Sequence, residues 1–407
     1  MSDSPSSLPP GWHRKPFTSL ADVSFSGVDK KSTPGEMPVR LCNYVDVFHN
    51  HRIHRSIDFI AATATEREVE NFRLHEGDVV FTKDSETPEE IAEPAYVAED
   101  LNGVVCGYHL AIARSKKDVD GHFLYYAMKE TGVCRQFARS ANGVTRFGLT
   151  LDAFDQIFIP TPPLDEQIRI AEILSTWDET LARLERQIAQ KEQLVSSIRE
   201  RLIHGFHRLG GPDVSWPMVA LSEVTTQLTE RNGDRYGRDL VMGVTKADGI
   251  VPMREHVVAE DISRYLVLPP SSFAYNPMRI NIGSIAMSEH KDNVIVSPDY
   301  VVFSCKEDQL HPRFLNHLRR TKAWADFMTI AGNGSVRVRI YYASLAEFEF
   351  HLPPLDEQRA IVEVLDDAEQ EIAALEAERM VLTKQRDALA TELLTGRLRV
   401  PLAEAAS

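Results

Sequence analysis

The sequence predicts an α+β protein built twice: two pseudo-repeated globular domains joined by two long helices that form an intramolecular antiparallel coiled coil. Three observations carry this expectation. The phrase Pro163-Leu164-Asp165-Glu166-Gln167 returns as Pro354-Leu355-Asp356-Glu357-Gln358, 191 residues later. Each copy opens a stretch with heptad spacing, the mark of a helix that packs along its length. Ahead of each copy, short apolar runs alternate with turn residues, as in strands of a mixed or antiparallel sheet.

The repeat extends beyond the phrase. Ala141-Asn142-Gly143-Val144-Thr145-Arg146 aligns with Gly332-Asn333-Gly334-Ser335-Val336-Arg337, and Gly121-His122-Phe123-Leu124 with Pro312-Arg313-Phe314-Leu315, both at the offset of 191. Val105 to Lys116 resembles Val296 to Lys306, and Trp12 with Leu20-Ala21-Asp22-Val23 resembles Trp216 with Leu221-Ser222-Glu223-Val224. The resulting division is a first domain over 1–160, a first helix over 161–210, a second domain over 211–352, a second helix over 353–400 and a tail over 401–407. In the domains, Gly77 to Phe81, Leu110 to Ala113, Ile285 to Met287 and Tyr300 to Phe303 read as strands. Phe123 to Arg139 and Arg313 to Thr329 read as one helix per half.

The helical stretches keep a 3-4 apolar spacing. The first seam is Leu174, Trp177, Leu181, Leu184, Ile188, Lys191, Val195, Ile198 and Leu202. The second is Leu365, Ala368, Ile372, Leu375, Arg379, Leu382, Arg386, Leu389 and Leu393. Gly205 and Gly396 stand at matching positions as helix stops. A helix of about 40 residues is roughly 60 Å long at ~1.5 Å per residue. Equal lengths suit pairing within one chain, while a coiled coil between two chains is the alternative. Charged seam positions at Lys191, Arg379 and Arg386 cost stability but penalise wrong registers.

Composition limits the function classes. Hydrophobic residues make up 43% of 407, enough for two or three cores. No stretch approaches the ~18 apolar residues of a membrane helix. Met1 to Pro10 is Ser/Pro-rich, unlike a secretory signal, and the scattered Cys42, Cys106, Cys134 and Cys305 suit the cytoplasm. The net charge of −15 argues against a basic nucleic-acid-binding body. Counting Lys and Arg against Asp and Glu gives 17 to 23 in 1–160, 7 to 8 in 161–210, 15 to 17 in 211–352 and 6 to 12 in 353–407.

Two variable globular segments, each ending in a Pro-Pro-Leu-Asp-Glu-Gln phrase and a heptad helix, resemble the specificity subunit of type I restriction–modification enzymes. Phe273 to Arg279 followed by Gly283-Ser284-Ile285-Ala286 resembles the middle of a target-recognition domain of that family. The first half has the similar Gly77 to Phe81 but lacks the Tyr-Asn-Pro-Met-Arg run. The resemblance implies a non-catalytic subunit whose two target-recognition domains read the halves of a bipartite, asymmetric site in double-stranded DNA. The coiled coil would set the spacing and dock two methyltransferase subunits, with restriction and translocase subunits as further partners. S-adenosylmethionine, and ATP with Mg where restriction subunits exist, would be bound by those partners and not by this chain.

No catalytic constellation competes with that reading. Asn276-Pro277 starts like an adenine-methyltransferase motif, but Met278 and Arg279 follow. A phosphate-binding GxxxxGK[ST] loop is absent. The His49 to Arg55 run has no Cys ligands, and its arginines oppose a metal. Because Arg pairs with guanine and Asn with adenine, the candidate DNA-binding residues are His51, Arg52 and Arg55 in the first half and Arg231, Asn232, Arg235, Arg238 and Arg279 in the second. Asn142, Arg146, Asn333 and Arg337 recur in both halves, which suits phosphate contact or a structural turn. Arg319 and Arg320 are further phosphate candidates. Glu166, Gln167, Glu357 and Gln358 open the helices, where acidic residues suit the helix dipole, and are the candidates for docking partner subunits. The competing function is a coiled-coil structural adaptor that organises a protein assembly without DNA.

Overall fold

A computed structural model describes residues 8–210, 215–331 and 339–400. The chain divides into two compact units. One holds the residues up to Leu184 and those from Glu378 on, and the other holds Glu185–Ala377. Each unit therefore contains one globular domain and part of both long helices.

In the first unit, His13–Pro16 pairs antiparallel with Phe158–Thr161, closing the start of the domain onto its end. A five-stranded sheet runs in the order Ala21–Phe25, Leu110–Ser115, Val79–Thr82, Pro94–Val97, Arg52–Ile53. A three-stranded sheet of Ile60–Ala64, Met37–Cys42 and Val104–Cys106 lies in the same domain. The second unit repeats the plan: Met218–Ala220 pairs with Glu349–His351. Thr225–Leu228, Val301–Cys305, Phe273–Tyr275 and Ile285–Met287 form one four-stranded sheet, and a second holds Gly249–Pro252, Val241–Thr245, Val294–Val296 and Leu266–Leu268. Each of the four apolar runs read from sequence falls on a strand in all or most of its length.

The structure also aligns the halves where the sequence does not. The Leu149 amide donates to the Lys83 carbonyl (3.0 Å), and the Ile340 amide donates to the Pro277 carbonyl (3.0 Å). Lys83-Asp84 thus stands in the first domain where Pro277-Met278 stands in the second. Asn276 ends its strand by accepting the Met278 amide on Oδ1 (2.9 Å), so Asn-Pro here is a local turn.

The single helix expected in each half is two helices. In the first half Gly121–Met128 is followed by Thr131–Ser140. Glu130 between them is extended, and its carboxylate caps the second helix at the Val133 amide (3.0 Å). In the second half the helices are Pro312–Leu318 and Lys322–Ala331. Apolar periodicity survives the break, which is why it is invisible to a periodicity argument.

The two long helices span Leu164–Ile203 and Leu355–Leu394, 40 residues each. They run antiparallel within each unit. In the first, Asp178 meets Arg386 (2.8 Å); in the second, Lys191 meets Glu371 (2.7 Å) and Arg199 meets Glu369 (2.6 Å). Leu174, Leu184, Ile188, Val195, Leu202, Leu365 and Leu393 are buried, and Leu181, Ile198, Ile372, Leu375, Leu382 and Leu389 are half-buried. The seam is therefore the one the heptads mark. Its charged positions at Lys191 and Arg386 carry ion pairs instead of facing an apolar layer.

Both helices stop at a left-handed glycine, Gly205 (φ +72°) and Gly396 (φ +75°). The space is as restrictive as the angle. A Cβ on Gly396 would lie 2.6 Å from Pro9 Cγ, and one on Gly205 would lie 3.1 Å from the Trp216 ring.

Beside those glycines lies a joint that occurs once in each unit. Glu357 is buried at the start of the second helix. Its Oε1 accepts from Arg208 Nε (2.6 Å), and its Oε2 accepts from Arg208 Nη2 (2.7 Å) and Trp216 Nε1 (3.2 Å). Glu166 is likewise buried and accepts from Arg399 Nε (2.7 Å) and Nη2 (2.9 Å) and from Trp12 Nε1 (3.1 Å). The neighbouring glutamines clamp the domain. Gln358 donates to the carbonyls of Pro353 and Gln309 (2.8 Å each) and accepts the His311 amide (2.7 Å). Gln167 donates to the Pro162 carbonyl (2.9 Å) and accepts the Asp120 amide (3.0 Å).

A second polar contact seats each domain on its helices, with different chemistry. In the first unit Tyr126 donates to Asp178 (2.7 Å), which also holds Arg386, while the His122 ring stacks on Tyr96 (4.2 Å) and Tyr126 (5.1 Å). In the second unit the buried His317 meets Asp366 (2.9 Å), and Glu369 accepts from both Arg199 and Arg320 (2.6 Å each).

Two outcomes follow from these joints. Glu357→Ala strands the Arg208 guanidinium and the Trp216 indole N–H, and is expected to cost about 3 kcal/mol or more. Denaturant unfolding of the variant, followed by tryptophan fluorescence, measures this loss. Burial first, and then Arg52, push the His122 pKa down to about 4 against the nearby Asp120, Asp178 and Glu179. Its folded pKa lies below the unfolded value, so its stabilising contribution is present above pH ~6.5 and is lost as pH falls toward 4. His122→Phe keeps a ring for the stack and removes the titration, and should flatten the decline of Tm between pH 6.5 and 5.

Candidate nucleic-acid interface

Most of the arginines read from sequence as DNA contacts are already spent inside the protein. Arg52 donates to Ser175 (2.5 Å) and Glu179 (3.2 Å) on the first long helix, fastening its strand there. Arg55 is held by Glu99 through its side chain and its backbone amide. His51 remains exposed, with its Nδ1 3.4 Å from Lys129 Nζ. Asn142 exchanges two backbone bonds with Gly148 (2.9 Å each), so it belongs to a structural turn. Arg146 projects from the same loop with its side chain 62% exposed and pairs with Asp84 (3.1 Å), which also contacts His109 (2.9 Å). This loop is the exposed rim of the first domain, and Val144 at its tip is 91% exposed.

In the second domain, Asn232 is corrected from a DNA contact to a core residue. It is fully buried, donates to the carbonyls of Tyr236 (3.0 Å) and Ile262 (3.2 Å), and accepts the Tyr236 amide (2.8 Å). Around it, Arg231 donates to the Arg264 carbonyl (2.8 Å), and Arg238 donates to the Ala259 carbonyl (2.6 Å). Arg235 donates to Glu230 (2.7 Å) and to the carbonyls of Arg231 (2.6 Å) and Asn232 (3.0 Å). Their density in the sequence reflects a loop that arginines stitch together. Arg279 is exposed and its guanidinium has no partner among the described residues. Arg320 pairs with Glu369, and Arg319 donates to Asn316 (2.8 Å). Asn333 and Arg337 lie outside the described residues.

Among the described residues, His317, Asp366 and Glu369 stand close enough to share a metal ion. Arg313 and Arg199 are bonded to the two carboxylates, and Arg320 shares Glu369. Guanidiniums in those positions supply the positive charge that a cation would bring, so the donor set suits an ion-pair network better than a metal. The His49 to Arg55 run does not converge. His54 bonds its neighbour Ser56 (2.7 Å), and the His49 ring packs on Phe48 (5.6 Å).

The family model for the type I restriction modification DNA specificity domain matches residues 42–192 and 270–383, well over half of the chain and once in each half. The chain belongs to this family. Curated relatives include the putative type I restriction enzyme MjaX specificity subunit of Methanocaldococcus jannaschii, 21% identical over 97% of this chain and 95% of that one. The MjaVIII specificity subunit of the same organism is 23% identical over 73% of this chain and 75% of its own length. Among solved structures, the type I restriction-modification S subunit from M. genitalium superposes with a TM-score of 0.58 at 14% identity, covering 99% of both chains. A chain from a structural study of complex assembly and conformational transition in a type I restriction-modification system gives 0.56 at 18% identity, covering 97% of this chain and 100% of that one. At these identities the structures establish the fold.

As a specificity subunit, the chain is the non-catalytic, target-recognising member of its enzyme. The four residues expected to dock partner subunits have another task in it. Glu166, Gln167, Glu357 and Gln358 are all buried, and each is saturated by partners of its own unit. They fasten domain to helix. Sequence reasoning also missed Arg208 and Arg399, although they stand 191 residues apart like the glutamates they hold. Among the described residues no helix is long and apolar enough to cross a membrane.

Proposed function

We propose that the chain is the DNA-reading subunit of a type I restriction–modification complex in which each globular domain reads one half of a bipartite, asymmetric site. The observation that carries this is the repeated joint on divergent domains. Glu166 with Trp12 and Arg399, and Glu357 with Trp216 and Arg208, present two domains through the same attachment. The domains differ at matching positions, as Lys83-Asp84 does from Pro277-Met278. One scaffold with two surfaces suits two different half-sites, and an asymmetric target follows from that difference. The antiparallel helices supply the spacing between half-sites, which must be met in a common groove phase. Two methyltransferase subunits dock on this chain, bring S-adenosylmethionine and flip the target adenines. ATP and Mg belong to restriction subunits where these exist.

Methylation profiling by single-molecule sequencing, with and without the gene, tests this. Loss of N6-methyladenine at one split asymmetric motif is the expected result. An unchanged methylome, with the methyltransferase subunits expressed and active, would favour the adaptor reading. The charge adds a second outcome. At −15 the isolated chain should bind duplex DNA weakly, and the complex with its methyltransferase subunits much more tightly, in gel shifts at matched salt.

A further inference from the structure

A cleft of about 680 Å³ opens in the second unit between the hairpin turn at Lys246–Gly249 and the end of the helix Pro312–Leu318. Its walls carry Lys246, Arg319 and Arg320 against Asp248 and Glu289, with His290 and Asn316 beside them. Two cations here lack an anion. Lys246 makes no ion pair among the described residues, and its stem lies along Gly283, where a Cβ would come 3.3 Å from Lys246 Cγ. Gly283 is also left-handed (φ +95°), so the floor under Lys246 has reason to stay bare. Arg319 donates Nε to Asn316 and meets no carboxylate within bonding distance among the described residues. Burial, followed by the adjacent Arg320, pushes its pKa down to about 10, the mark of a cation in an unfavourable place.

Further guanidiniums stand behind the wall. Arg199, Arg313 and Arg320 converge on only two carboxylates, Asp366 and Glu369, and Arg319 adds a fourth guanidinium next to them. Lys246 and Arg319, neither bonded to a carboxylate among the described residues, are the two cations here that an incoming anion can engage. At the positions 191 residues earlier, the first domain has Met128, which is buried, and Lys129, which is paired with Glu93 (2.9 Å). The unpaired guanidinium of Arg319 has no counterpart there.

We propose that this cleft seats the phosphate backbone of the DNA at the second half-site, with Lys246 and Arg319 each taking a phosphate oxygen. The inference rests on the DNA-reading function above and assigns these two side chains to grip, not to base reading. Phosphate contacts lower affinity for every sequence when removed, and each reduces the slope of log K against log salt by about one. The experiment uses the full complex with its methyltransferase subunits, the duplex carrying its methylated motif and an unrelated duplex. Lys246→Gln and Arg319→Gln should each weaken binding to both duplexes by the same factor and reduce the salt slope by about one. Arg319→Lys should keep the slope, and the methylated motif should stay unchanged in all three. Lys246 sits on an exposed turn, so its replacement reads out even if Arg319→Gln disturbs folding. An unchanged salt slope in Lys246→Gln overturns the proposal, as does a changed motif. A wild-type complex that binds no duplex would instead overturn the DNA-reading function itself.

Discussion

The structure depends on a buried carboxylate at the head of each long helix. Glu166 and Glu357 are removed from water, and such a charge is tolerable only with its oxygens fully engaged. The engagement comes from two directions. An indole N–H arrives from the start of a domain, Trp12 or Trp216, and a guanidinium arrives from just beyond the end of the other helix, Arg399 or Arg208. The helix start, the domain start and the segment past the other helix must all meet before both oxygens are fully engaged. The joint therefore couples domain attachment to helix pairing, and it selects the antiparallel arrangement because the guanidinium lies past the far end of the partner helix. The glycine stops serve the same joint. A left-handed turn at Gly205 or Gly396 reverses the chain in time to present the arginine, and the bare Cα makes room for the tryptophan or proline beside it.

This explains which parts of the molecule were legible in the sequence. The joint needs fixed residue types at fixed separations, so it leaves a phrase that occurs twice at one offset. The seam needs apolar side chains at heptad positions, and Leu174, Leu184, Ile188, Val195 and Leu365 are buried as that spacing requires. Strands such as Val301–Cys305 show as apolar runs because both of their faces are covered.

What was not legible concerns where polar groups point. Glu166 and Gln167 read as surface residues because they are polar and open a helix, yet both are buried, Glu166 by partners 154 and 233 residues away and Gln167 by partners 5 and 47 residues away. Asn232 read as a base contact because asparagine beside arginine suits adenine, yet its amide completes three bonds to its own loop. The break at Glu130 is hidden because an extended, self-capping residue costs the apolar pattern nothing. In each case the hydrogen-bond partner decides, whether it is distant, as Trp12 is from Glu166, or local, as Val133 is to Glu130.

The same accounting bears on how an acidic protein can address DNA. Arg52, Arg55, Arg235, Arg238, Arg313 and Arg386 are consumed by carboxylates or carbonyls of their own unit. Cations locked in such pairs contribute structure and little attraction. On the DNA-reading proposal, the attraction comes from those that remain among the described residues, Arg279 and Lys246 with Arg319 in the cleft, or from partner subunits. A small number of unspent cations set on rigid domains gives weak capture and strong dependence on fit. That balance suits a subunit whose affinity is supplied by an assembly and whose own contribution is to discriminate between sequences.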